Sequence, residues 1–189
     1  MKILAPLVFA FAAFASTAFA ADPPKPATAA PAPKSAASAV FAPARLPGRG
    51  IDEVLKAFPS AREVQERCHH EAVVKARIEC TRLAAHSGGL GYQLEFTRGG
   101  ILIRSVEYAV VPDAATAEKL YRQRVAALTK AFGKGRVSSA TPSEGLKEAR
   151  TAWTDKPARH QRAGVVLITK GKEPAVVMDY LESHDPSHF

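Results

Sequence analysis

The sequence predicts an α+β domain: an antiparallel β-sheet meander with one long helix packed on one face and a short helix at its N-terminal end. Three observations carry this reading. Tyr92, Leu94 and Phe96 alternate with Gln93, Glu95 and Thr97, the period of a strand with one buried and one solvated face. Ala117, Leu120, Tyr121, Val125, Leu128 and Phe132 recur at steps of three and four, the stripe of an amphipathic helix. Further short apolar runs follow at Thr151–Thr154, Val165–Ile168 and Val176–Tyr180, spaced as strands joined by turns.

The N-terminus predicts export. Met1 to Ala20 has an early Lys2, an apolar run from Ile3 to Phe14 and Ala18-Phe19-Ala20 before Ala21, the layout of a signal peptide cleaved after Ala20. The run is too short for a membrane span, no other stretch is long enough, and no cysteine follows the cleavage point to take a lipid anchor. A periplasmic or secreted mature chain without a transmembrane segment is expected. From Ala21 to Pro47, seven of the chain's fourteen prolines are interleaved with Ala, Ser and Lys around a single aromatic, Phe41. Such a composition buries little apolar area, so residues 21–47 read as a disordered tether. Residues 48–183, roughly 140 residues, suffice for one core.

Ile51, Val54, Leu55 and Phe58 fall at helical spacing after Gly50, and Pro59 stops the run. This opening, Gly50-Ile51-Asp52-Glu53-Val54-Leu55-Lys56-Ala57-Phe58-Pro59, resembles the glycine-led first helix of small bacterial envelope domains of the BamE-like and β-lactamase-inhibitor-protein-like type. The resemblance implies a short helix ahead of a small antiparallel sheet, residence in the envelope and a role in binding protein. BamE-type proteins are lipid-anchored, which this chain is not expected to be.

Residues 60–72 support two readings. Ser60 with Glu63 has the form of a capping box, with Val64, Cys68 and Ala72 on one helical face, whereas Val64, Glu66 and Cys68 also alternate as a strand would, the reading preferred here. Val74, Ala76, Ile78 and Cys80 alternate with charged residues and predict a strand running toward Leu83. Cys68 and Cys80 are the only cysteines, an even count in an exported chain, and predict one disulfide. Cys68-His69-His70 with Cys80 offers metal-ligating types, but the spacing matches no common zinc pattern.

In the central hairpin, Gly99-Gly100 reads as a two-residue loop that sets Phe96 opposite Ile103. Strict pairing would then turn Val106, Tyr108 and Val110 away from Phe96, Leu94 and Tyr92 and bring in Ser105 and Glu107. A bulge at Arg104-Ser105 restores the apolar phase, and a three-residue loop that buries Leu102 is the alternative. Asp113 after Pro112 is the expected N-cap and Gly133 the expected end of the helix, with Lys119, Arg122, Gln123 and Lys130 on its solvated side. Residues 133–148, rich in Gly, Ser, Lys and Thr, read as a long surface loop, Lys156 to Arg162 as a basic loop, and residues 184–189 as a frayed tail.

No nucleophile elbow, phosphate-binding glycine loop or helical His-Glu-x-x-His occurs. Ser183-His184-Asp185 holds the residue types of a hydrolase triad, but consecutive side chains diverge, and Pro186 separates His184 from His188 as a metal pair. No catalytic residue, cofactor or metal is therefore assigned. The net charge of +8 is spread along the chain, and without an aromatic-studded basic motif nucleic acid is not an expected partner. Two surfaces stand out: the basic loop with Trp153, Lys156, Arg159, His160 and Arg162, and the sheet face opposite the helix. The expected function is an exported, non-enzymatic binding module for a protein, with an anionic envelope component (lipid headgroup or glycan) as the alternative.

Overall fold

A computed structural model of the protein describes residues 36–65, 67–70, 73, 75, 79–143, 145–154 and 160–189. The expected signal sequence and the expected tether up to residue 35 lie outside the described residues. Eight strands form one antiparallel sheet: β1 (Arg62–Glu63), β2 (Cys80–Ser87), β3 (Leu90–Thr97), β4 (Leu102–Val111), β5 (Arg136–Ser143), β6 (Leu146–Thr154), β7 (Gln161–Lys170) and β8 (Ala175–Ser183). Their order is β1-β2-β3-β4-β8-β7-β6-β5. Helix α1 (Ile51–Ala57) precedes β1, and α2 (Ala114–Phe132) connects β4 to the far edge, from which β5 to β8 return as a meander to pair with β4. Among the described residues no helix is long and apolar enough to cross a membrane.

Helices α1 and α2 lie on the same face of the sheet. The apolar stripe of α2 packs on β6, β7 and β8 with Val165, Val177 and Leu181 at its centre, while α1 places Val54 and Phe58 against Leu83, Leu94, Phe96 and Leu102. Tyr121 reaches through to Thr151, with 2.8 Å between their hydroxyl oxygens. Asp113 caps α2 as expected, its Oδ1 accepting from Thr116 N at 2.8 Å.

That hydrogen bond from the Thr116 backbone favours the ionised form and holds the Asp113 carboxyl below its ordinary pKa. A depressed folded-state pKa stabilises the fold above the unfolded value of about 4 and loses that contribution as pH falls through the lowered one. Asp113→Ala is expected to melt below the parent at neutral pH, and the gap is expected to narrow toward about pH 2. Thermal unfolding followed by circular dichroism at both pH values checks this; a gap that stays constant contradicts it.

The hairpin between β3 and β4 differs from the expected register. Phe96 pairs with Leu102, Leu94 with Ser105 and Tyr92 with Glu107, and the register shifts at Glu95/Phe96. The irregularity thus falls at Ile103, not at Arg104-Ser105, and Leu102 is the buried residue, as the longer-loop alternative requires. Ser105 and Glu107 consequently share the helix face with Leu94 and Tyr92, and Val106, Tyr108 and Val110 turn to the other. The reason is that the polar residues find partners under the helices: Ser105 Oγ donates to the Arg45 carbonyl at 2.9 Å, and Glu107 meets two arginines.

Five further expectations are corrected. Ala36 to Pro47, assigned by composition to the tether, forms two short 3-10 turns (Ala36–Ala39 and Pro43–Arg45) that bury Ala37, Phe41 and Arg45. A few well-seated side chains outweigh an average composition. The strand expected over Val74–Cys80 begins only at Cys80: Val73 and Lys75 are helical, and Val74 and residues 76–78 lie outside the described residues. Of residues 60–72, only Arg62–Glu63 form a strand, pairing with Ala84 and Leu83, and the rest described is irregular. The surface loop expected over residues 133–148 contains β5 and the start of β6; its Ser/Thr composition belongs to an edge strand paired on one side only, with Val137 74% exposed. The end of the chain, expected to fray, closes a 3-10 turn at Pro186–His188, where Asp185 Oδ1 accepts from Ser187 N at 2.9 Å.

Candidate functional site

Three places on this scaffold concentrate polar or exposed groups. The first lies on the helix face between the two apolar clusters. Arg45 donates to Glu107 Oε2 at 3.0 Å and to Asp179 Oδ1, while Arg124 donates to Glu107 Oε1 at 2.7 Å and to Asp179 Oδ2 at 2.6 Å. Each arginine bridges both carboxylates, so two cations and two anions close a ring. Glu107 and Asp179 are register partners on β4 and β8, Arg124 comes from α2 and Arg45 from the second 3-10 turn. The Arg45 guanidinium also lies 5.0 Å from the Phe41 ring centre. Burial first, and then the Glu107 carboxylate beside it, push the Tyr92 hydroxyl above its ordinary pKa. A cavity of about 290 Å³ opens over this ring, walled by Val40, Phe41, Ala127 and Leu128. Its charges neutralise one another, so it presents apolar walls over a balanced floor, which attracts neither a strong anion nor a strong cation.

The second place is on the opposite face, at one end of the sheet. The register aligns Arg82, Glu95, Arg104, Glu182 and Arg162 in one row across β2, β3, β4, β8 and β7, a ladder of alternating charge. Arg104 pairs with Glu95 at 3.1 Å, with Glu182 at 3.6 Å, and Arg162 reaches Glu182 at 3.9 Å. The segment 67–70 covers the row: the backbone N–H groups of His69 and His70 both donate to Glu95 at 2.9 Å, and His70 Nε2 lies 2.5 Å from the Ser183 carbonyl. His184 Nε2 is 3.1 Å from Glu182 Oε1. Burial dominates at His70 and lowers its pKa, keeping the ring neutral. The Cys68–Cys80 disulfide, as expected from the cysteine count, ties this segment to β2, with Cα atoms 6.5 Å apart.

The third place is the remainder of that face. Successive register rows are Val106-Tyr180-Gly164, Tyr108-Met178-Val166 and Val110-Val176-Ile168 across β4, β8 and β7. The Tyr108 and Tyr180 rings lie flat over Gly91 and Gly164 on their neighbouring strands, where an added Cβ would sit 2.1 and 2.4 Å from ring atoms. Glycine at both positions is thus required by close approach. Tyr108, Val176, Met178 and Ile168 remain half-exposed and Val110 is 63% exposed; the patch ends at β6, where Glu148 is the register partner of Ile168 and lies 3.2 Å from Arg150.

The basic-loop surface is not assembled as the sequence predicts. Trp153 is buried, packs under α2 and donates its indole N–H to the Gly133 carbonyl at 2.8 Å. His160 and Arg162 are exposed, and the Arg162 side chain sits on the face away from Trp153; Lys156 and Arg159 lie outside the described residues. Arg45, Glu107 and Arg124 were not singled out by sequence reasoning. A signal for Arg124 exists, since it stands three residues after Tyr121 and four before Leu128, within the apolar stripe. The signal for Glu107 is the strict hairpin phase. No family model, curated protein or solved structure matches this chain.

Proposed function

We propose that this is an exported, non-enzymatic module of the periplasm or extracellular space that binds a protein through the apolar part of the sheet face turned away from α2. The observation that carries the reading is the pair of apolar rows Tyr108-Met178-Val166 and Val110-Val176-Ile168, in which all but the buried Val166 are partly exposed and Val110 is 63% in solvent. Contiguous apolar surface rimmed by charges, here Glu148 and Arg150, is characteristic of interaction sites. The signal sequence and the disulfide favour an oxidising compartment. The resemblance of the Gly50–Pro59 opening to small envelope modules leans the same way. A polyanion-binding surface has less support, because Trp153 is buried and the arginines of the helix face are matched by carboxylates.

The test uses Val110→Glu and Met178→Glu, two positions whose side chains already meet water. The parent is expected to retain one protein from envelope extract in about 1 M salt, where charges are screened beyond about 3 Å, and each variant to lose it. Retention that collapses with salt and ignores both substitutions would sink this reading and favour an anionic lipid headgroup or glycan.

A further inference from the structure

We propose that His70, Glu182 and His184 form a binding site for a first-row divalent metal ion of the Zn²⁺ type. One ring nitrogen of each histidine and one carboxylate oxygen lie within 4.8 Å of one another. Zinc bonds of about 2.1 Å place tetrahedral ligand atoms roughly 3.4 Å apart. The Glu182–His184 pair is already at 3.1 Å, and His184 is exposed enough to adjust its rotamer. Two imidazoles and a carboxylate are a recurrent donor set for zinc and iron, with positions left for water or a ligand.

A second, independent observation points to the ion. His70 is wholly buried, and its Nδ1 has no hydrogen-bond partner. When Nε2 donates to the Ser183 carbonyl, Nδ1 carries a lone pair buried without a donor, a costly arrangement in a protein interior. A ring that gives one N–H to a backbone carbonyl and offers the other nitrogen as a lone pair is how metal-binding histidines are held. The His70 backbone is itself fixed, by its N–H bond to Glu95 and by the disulfide two residues earlier. Glu182 also stays available: Arg104 and Arg162 stand 3.6 and 3.9 Å from it, beyond good hydrogen-bond reach, while Arg104 makes its 3.1 Å contact with Glu95. The ion would join the Cys68–His70 segment to the end of β8, a second cross-link beside the disulfide.

The experiment takes the full exported chain, stripped with a chelator, and titrates Zn²⁺ against a chromophoric competitor, with Co²⁺ as a spectroscopic probe. One ion per chain is expected, with visible Co²⁺ bands. His184→Ala is expected to weaken binding at least about tenfold, and His86→Ala, an exposed histidine on β2, to leave it unchanged. Circular dichroism of His184→Ala verifies its fold, and Glu182→Gln supplies a second ligand variant. No stoichiometric binding by the parent, or binding that both ligand variants retain, overturns the proposal.

Discussion

Asp179→Ala is expected to destabilise the protein by about 3 kcal/mol, read as a lowered urea midpoint at unchanged slope. Asp179 accepts from both Arg45 and Arg124, and its side chain and those of Arg45, Glu107 and Arg124 are between 5% and 16% exposed. Removing it leaves two guanidinium groups to share one carboxylate under α2 and the Pro43–Arg45 turn. In a largely desolvated site the excess charge cannot be shed, because arginine does not deprotonate in proteins. The ring itself contributes little net energy, since desolvation offsets most of its attraction, but opening it on one side is expensive. Glu118→Ala is the control: its partner Arg122 lies on the solvated side of α2, more than half of each side chain is exposed, and the change should stay below about 0.5 kcal/mol. An Asp179→Ala loss no larger than the control's would show that water reaches the ring. Hydrogen exchange is expected to rise first in Ala36–Pro47, which Arg45 ties to the ring.

Replacing Cys68 and Cys80 together by alanine is expected to cost about 3 kcal/mol. The two cysteines are 12 residues apart, and a loop of that size removes about this much chain entropy from the unfolded state. The native state adds a further reason. The Cys68–His70 segment carries the N–H groups that satisfy the fully buried Glu95, so releasing it leaves that carboxylate with Arg104 alone among its described partners. Denaturant unfolding of the double variant measures the effect, and thiol labelling of the parent without reductant is expected to find no free thiol. A midpoint within about 1 kcal/mol of the parent would mean that the segment holds its place without the bond.

The elements that were legible are those whose signal is local. The α2 stripe, its Asp113 cap and the strands β3 and β8 each follow from spacing within one segment, and they appear where the spacing puts them, although Glu95 and Thr97, expected on a solvated face, are buried. The hairpin register was not legible, because two phases differing by one residue compete. Pattern reasoning chose the phase that buries Val106 and Tyr108, whereas Ser105 and Glu107 take the covered face once Arg45 and Arg124 stand above them. Those partners come from segments 62 and 17 residues away from Glu107 along the chain. The edge strand β5 was missed for the opposite reason: its exposed Ser and Thr residues carry a strand's hydrogen bonds without a strand's apolar face.

The sequence by itself determined the α+β class, the long capped helix, the pairing of Cys68 with Cys80 and the expectation of export, since each rests on neighbouring residues or on a count. Tertiary structure alone decided which face of the sheet is closed, that Arg45, Glu107, Arg124 and Asp179 form a ring, and that His70 meets Glu182 and His184. Those groups lie on different strands, turns and helices, and a charge is tolerated under a helix only when folding delivers its counter-charge from another part of the chain.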